Sequence, residues 1–68
     1  MKSRKLILTT YECQLLKLCA EGKSHREIAD ELYYTKWGID YKIRSINLKL
    51  EVNSQFDAVT KAHYLGLI

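Results

Sequence analysis

The most constraining feature of the chain is a pair of amphipathic segments within residues 24–50, joined by a turn of two tyrosines. The first segment begins at Ser24, and Glu27 completes a capping box, the pattern that marks a helix start. The second begins at Thr35, also a favoured N-cap residue. So short a connection between two helices is typical of a helix-turn-helix.

Apolar residues of the second segment recur at the spacing of an α-helix. One set falls within about 60° at 100° per residue and forms the predicted buried stripe. Its members are Ile39, Ile43, Ile46 and Leu50. The opposite face combines apolar side chains with one cation, which is unusual for a solvent-facing surface. These outward residues are Trp37, Tyr41, Arg44 and Leu48.

Two further helices flank this pair. Thr9 and Glu12 form another capping box before an apolar stretch, so a helix is predicted to begin there. A last helix is predicted to begin at Asn53 or Ser54 and to end before Gly66. The chain has no proline and no strand-like alternation. We therefore predict an all-α, four-helix fold, with a basic N-terminal arm at residues 1–7 and the helix-turn-helix domain at residues 8–68.

The positive charge is concentrated in two parts of the chain. Its formal net charge is +3. Residues 1–5 hold three basic side chains, and residues 33–50 hold four against one acidic side chain. Residues 6–32 and 51–68 are each net negative. Clustered cations of this kind are typical of contacts to nucleic-acid phosphates, although a charge this small also fits an ordinary solvated surface.

Several function classes have no support in the sequence. Cys13 and Cys19 lie six residues apart on one helix, so they point to different faces and are expected to be free core or boundary residues. His25 and His63 have no neighbours at metal-ligand spacing. No nucleophile–base set or phosphate-binding glycine loop occurs. We expect no enzyme activity, no metal, no cofactor and no membrane span, and a cytoplasmic protein.

From Leu8 onward, the chain resembles the LuxR/GerE-type DNA-binding domain. The ordered positions that carry this resemblance are Leu8-Thr9, Glu12, Leu16, Leu18, Ala20, Gly22, Ser24, Glu27-Ile28-Ala29, Leu32, Thr35, Ile39, Ile46, Lys49-Leu50, Val52, Ala58-Val59 and Leu65-Gly-Leu-Ile68. The resemblance implies a DNA-binding transcription regulator whose third helix reads the major groove of double-stranded DNA. It also implies a homodimer formed through the fourth helix. Because few residues precede Leu8, we expect a stand-alone member, or a domain whose partner acts in trans.

The resemblance and the charge pattern together assign candidate roles to individual residues. The expected contacts to bases or to the groove are Trp37, Asp40, Tyr41 and Arg44. The expected phosphate contacts are Ser24, His25, Arg26, Thr35, Lys36, Lys42 and Lys49. The expected dimer contacts are Val59, Ala62, His63 and Leu67.

Departures from the family pattern fall mainly in the third helix. Asp40 stands where the family usually has a groove-facing lysine, and Gly38 replaces a residue that helps to start the helix. Tyr34 replaces an aliphatic turn residue, and Glu51 a glycine. A carboxylate opposes phosphate, although it can accept a hydrogen bond from a cytosine amino group.

Two alternative functions remain open. The first is a protein-interaction module, either an antiactivator or a co-regulator, that binds another transcription regulator through Trp37, Tyr41 and Leu48 or by heterodimerisation. Its support is the acidic Asp40 beside this apolar strip, and fold alone does not decide between functions. The second is a piece similar to region four of a sigma factor, which the pattern resembles more weakly.

Overall fold

The computed structural model describes residues 7–68 and contains four helices in that range. These are α1 (Thr10–Ala20), α2 (His25–Glu31), α3 (Lys36–Leu50) and α4 (Gln55–Tyr64). The all-α, four-helix prediction is confirmed, and α2 and α3 form the helix-turn-helix. The basic side chains expected in the N-terminal arm, Lys2, Arg4 and Lys5, lie outside the described residues. Ile7, the last residue of the predicted arm, packs against the core.

The predicted helix starts are confirmed by their capping hydrogen bonds. Thr9 and Ser24 each form a complete capping box with the glutamate three residues later. The Thr35 hydroxyl accepts a hydrogen bond from the backbone N–H of Gly38 at 2.9 Å. For α4, Ser54 is the N-cap residue. Local side-chain chemistry therefore decides where all four helices begin.

Each of the four helices is followed by one residue of positive φ, at which the chain changes direction. In each case the next backbone N–H reaches a carbonyl five residues earlier, as in a Schellman motif. Glycine occupies this position after α1 and α4, whereas Tyr33 (φ 57°) and Glu51 (φ 59°) occupy it after α2 and α3. A side chain with Cβ is strained in this left-handed region. The helix-turn-helix and the α3–α4 connection therefore both contain a strained residue.

One apolar core holds the four helices together. Its buried members are Leu8, Leu15, Leu16, Cys19, Ile28, Ala29, Ile39, Ile43, Ile46, Leu50, Ala58 and Ala62. The predicted α3 stripe is thus confirmed, and each of its four residues is buried. The C-terminal Leu67 and Ile68 pack back against this core and are half-buried. Cys13 and Cys19 are both free thiols.

Candidate nucleic-acid interface

The outward face of α3 carries three large apolar side chains that are mostly exposed. Trp37 is 82% exposed, Tyr41 70% and Leu48 77%, and Arg44 is also exposed. These residues lie on one side because the opposite stripe of α3 is fixed in the core. Their helical spacing places them in one row along the helix axis. A 15-residue helix with this face uncovered has the shape that a DNA major groove admits.

Asp40 lies beside this face, but both of its carboxylate oxygens are engaged within the chain. Oδ1 lies 2.6 Å from Nδ1 of His25, and Oδ2 accepts a hydrogen bond from Nζ of Lys36 at 3.3 Å. The hydrogen bond from His25, together with Lys36, holds the pKa of Asp40 below its ordinary value. The structure therefore differs from the expectation of a groove-facing Asp40, because the carboxylate already has its partners.

His25 connects three helices and does not stand free for a phosphate. Its Nε2 lies 2.5 Å from Oε1 of Gln55, at the start of α4, while Nδ1 meets Asp40 on α3. The ring is half-buried at the start of α2. With both ring nitrogens occupied, His25 is placed to hold α2, α3 and α4 in register, and its expected phosphate contact stays a prediction.

Lys49 also forms an ion pair within the chain. Its Nζ lies 2.9 Å and 3.0 Å from the two carboxylate oxygens of Glu12, which is only 3% exposed. Glu12 in turn accepts a hydrogen bond from the backbone N–H of Thr9. Because a buried carboxylate requires a partner, Lys49 joins α3 to α1. Its side chain is still 39% exposed, so a phosphate contact by Lys49 would compete with this ion pair and stays a prediction.

The other expected phosphate contacts remain accessible to differing degrees. Arg26 and Lys36 are exposed, as are the capping residues Ser24 and Thr35. Lys42 is half-buried, with its Nζ 5.5 Å from the centre of the Tyr11 ring. A lysine in this position keeps its charge near the surface while its stem packs on the aromatic ring.

The structure shows why residue 38 is a glycine, which the sequence alone did not reveal. A Cβ at residue 38 would lie 2.8 Å and 2.9 Å from two ring carbons of Tyr34. The Tyr34 ring also meets Tyr11 edge-on, with centroids 5.7 Å apart. The turn tyrosine thus packs between α1 and the first turn of α3, and glycine leaves the space for it.

The expected dimer residues divide between the core and the surface of α4. Ala62 is fully buried in the core, so its assignment as a dimer contact is wrong. Val59 and Leu67 are half-buried against the core, and His63 is exposed.

Sequence reasoning overlooked two exposed aromatic residues of α4, Phe56 at 78% and Tyr64 at 87% exposure. They lie out of phase with the buried Ala58 and Ala62, since a separation of two residues turns the helix by about 200°. That phase difference was the signal that could have found them.

No helix between residues 7 and 68 has the length and apolar character needed to cross a bilayer. Across the same residues, histidine, cysteine and acidic side chains do not gather in threes at metal-binding distance.

Comparison with known proteins gives a consistent result. Residues 6–62 match the model of a family described as bacterial regulatory proteins, luxR family. The chain is 39% identical over 62 residues to the transcriptional regulatory protein ComA of Bacillus subtilis (strain 168), covering 91% of this chain and 29% of that protein. It is 39% identical over 61 residues to the transcriptional regulatory protein LiaR of the same strain, covering 90% and 29%. It is 36% identical over 61 residues to the HTH-type transcriptional regulator AlkS of Pseudomonas putida, covering 90% and 7%. The chain thus spans less than a third of each relative.

Proposed function

Since the chain belongs to the luxR family of bacterial regulatory proteins, we propose that it is a sequence-specific DNA-binding regulator of transcription that places α3 in the major groove. The observation that carries this proposal is the uncovered outward face of α3, with Arg44 at its centre and Lys36 and Lys42 beside it. Such a regulator acts in the cytoplasm, where bacterial DNA lies.

The exposed side chains divide into those that touch bases and those that touch the backbone. Arg44 is suited to guanine, whose O6 and N7 accept both ends of a guanidinium fork. Trp37 and Tyr41 present apolar surface to the base edges. The phosphate contacts come from exposed or half-buried cations and from helix caps, which position the protein without reading sequence. These residues are Ser24, Arg26, Thr35, Lys36 and Lys42.

Three residues first expected at the DNA act instead by fixing the helices that reach it. His25 and Asp40 tie α2 to α3, and Lys49 ties α3 to α1. Recognition requires that α3 keep a fixed angle to the rest of the domain, because a misplaced helix loses its base contacts. These residues therefore support binding by position rather than by direct contact.

We also propose that two copies pair through the exposed side of α4. Phe56, His63 and Tyr64 are exposed there, and the expected dimer residues Val59 and Leu67 are half-buried. A two-fold contact would place two α3 helices for half-sites about one helical turn apart. Sedimentation of the free chain and of the DNA complex tests the pairing. A strict monomer in both states, or a dimer unchanged by Tyr64→Glu, would contradict it.

A second candidate function is favoured by the three exposed apolar side chains of α3. Trp37, Tyr41 and Leu48 together would suit a partner protein, which could be another transcription regulator. In that case Trp37→Ala should be the most damaging change, as expected for a buried aromatic anchor. Loss of Arg44 should then leave the complex nearly intact.

The experiment that separates these functions uses duplexes enriched from a random DNA pool with the wild-type chain. Arg44→Ala should weaken binding to the preferred duplex by about 1–3 kcal/mol and relax selection at one base position. Lys17→Met, at an exposed lysine of α1, serves as the control and should retain the base preference. Wild-type binding no tighter than that of Arg44→Ala, alongside a Trp37-dependent protein complex, would overturn the DNA-binding proposal.

A further inference from the structure

The groove-facing surface of α3 lacks a free carboxylate. Asp40 is turned toward α2, where His25 and Lys36 occupy both of its oxygens. His25 is itself held on its far side by Gln55. Moving Asp40 into a groove would break two contacts and leave His25 without one of its partners. The carboxylate is therefore unavailable to accept a hydrogen bond from a cytosine amino group.

What remains on the exposed row of α3 is one cation and a set of apolar surfaces. Trp37 and Tyr41 are largely uncovered, and Arg44 follows one turn further along. Of the groups that base pairs present in the major groove, the C5-methyl of thymine is the apolar one. Aromatic side chains at these positions therefore favour thymine, whereas the guanidinium of Arg44 favours guanine.

The spacing of these three residues matches a short stretch of duplex. Trp37 and Arg44 are seven residues apart, which is about 10 Å along a helix that rises 1.5 Å per residue. Successive base pairs are about 3.4 Å apart, so the three side chains span about three base-pair steps. A single half-site of about four base pairs can therefore meet all three.

We propose that this chain reads its half-site through thymine methyl groups, one at Trp37 and one at Tyr41, together with a guanine at Arg44. Asp40 is a positioning residue that stays outside the groove. This inference rests on the proposed DNA-binding function and adds the base chemistry to it. Lys36 and Lys42 flank the row on either side, and although Lys36 is paired with Asp40, its side chain is 54% exposed and can also face a phosphate.

The test replaces thymine by deoxyuridine in the preferred duplex, which removes the methyl group and leaves base pairing unchanged. Removing the methyl group of a contacted thymine should weaken wild-type binding about fourfold. That factor corresponds to the transfer free energy of one buried CH₂ group. The same replacement outside the half-site should have no effect. Tyr41→Ala should bind the thymine and deoxyuridine duplexes equally at the position that Tyr41 covers, and Trp37→Ala should do so at its own position.

The outcomes distinguish failure of this inference from failure of the proposed function. A wild-type chain that binds DNA with Arg44-dependent selection but is indifferent to deoxyuridine would overturn the thymine reading alone. Asp40→Asn should leave the preferred sequence unchanged, and a switch away from cytosine in that variant would place Asp40 in the groove and also overturn the inference. Absence of any duplex binding, with a Trp37-dependent protein complex instead, would overturn both.

Discussion

Replacing Lys49 by methionine tests the most buried ion pair of the domain. The substitution keeps most of the aliphatic stem but removes the ammonium that lies 2.9 Å and 3.0 Å from the Glu12 oxygens. Glu12 is 3% exposed, so water cannot fully replace the lost partner. The carboxylate would keep its hydrogen bond from the Thr9 backbone and lose its charge partner. We expect Lys49→Met to destabilise the fold at neutral pH.

The expected magnitude follows from the geometry of the pair. Removing one partner of a buried ion pair costs about 3–5 kcal/mol. The Lys49 side chain is 39% exposed, so solvent already screens its charge and a smaller cost of about 2 kcal/mol is appropriate. A domain of this size has roughly 3–10 kcal/mol in total. The thermal midpoint should therefore fall by about 8–16 °C.

The pH dependence separates a charge effect from a packing effect. Burial raises the pKa of Glu12, but the hydrogen bond from Thr9 and the pairing with Lys49 outweigh burial, and the pKa lies below the ordinary 4.5. A carboxyl of lowered pKa stabilises the fold above its unfolded pKa, and this contribution is lost as the pH falls through the folded value. In Lys49→Met the pKa of Glu12 should rise. The difference between the two proteins should therefore be largest near neutrality and shrink below pH 4.5.

Urea unfolding followed by circular dichroism measures this difference across the pH range. Lys17→Met, the same substitution at an exposed α1 lysine, should change stability by only a few tenths of a kcal/mol. Glu12→Gln completes a double-mutant cycle, and its coupling to Lys49→Met gives the energy of the pair itself. A cost for Lys49→Met that stays constant as the pH falls, or a coupling near zero, would refute the reasoning.

Three further stability predictions concern the turns and the core, and urea unfolding measures each. Glu51→Gly and Tyr33→Gly should each stabilise the domain by about 0.5–1 kcal/mol, since both residues have positive φ; a loss at both would contradict the strain. Gly38→Ala should destabilise the wild type because its Cβ meets the Tyr34 ring, but should become favourable in a Tyr34→Ala background; the same sign in both backgrounds would exclude the clash. Ile46→Ala, at a fully buried site, should cost about 2–5 kcal/mol, and an unchanged urea midpoint would show that the helical phase is wrong.

The helix starts and the buried stripe were predictable because they depend on residues close together in the chain. The Thr9 and Ser24 capping boxes join residues three apart, and the α3 stripe repeats every three or four residues. The same local rules placed Trp37 and Tyr41 on the outward face. The burial of Ala62 was also open to this reasoning, since it lies four residues after the buried Ala58. The helical period of α4 also places Phe56 and Tyr64 on its exposed side, away from Ala58 and Ala62.

The pairing of polar side chains was not predictable because it depends on how the helices cross. Glu12 and Lys49 are 37 residues apart, and His25 and Gln55 are 30 apart. In each pair, the sequence around one residue does not indicate its partner. Lys49 and His25 therefore look unpaired in the sequence, and an unpaired cation suggests a phosphate contact. Tyr34 and Gly38 are only four residues apart, but the contact between them depends on the backbone conformation of the turn. Charge alone therefore does not show which of these side chains are already paired within the domain.

The most direct test of the proposed function is a salt titration of binding to random duplex DNA. Between about 50 and 200 mM salt, the logarithm of the binding constant should fall linearly with the logarithm of salt concentration. Lys36→Met should reduce the slope by about 0.9, as loss of one phosphate contact predicts, while Lys17→Met should leave it unchanged. Lys49→Met, measured where it is still folded, should also keep the wild-type slope, because its ammonium is paired with Glu12. A wild-type chain with no measurable duplex affinity at the lowest salt, or a slope indifferent to Lys36, would contradict the proposal that this face of the helix-turn-helix lies on DNA.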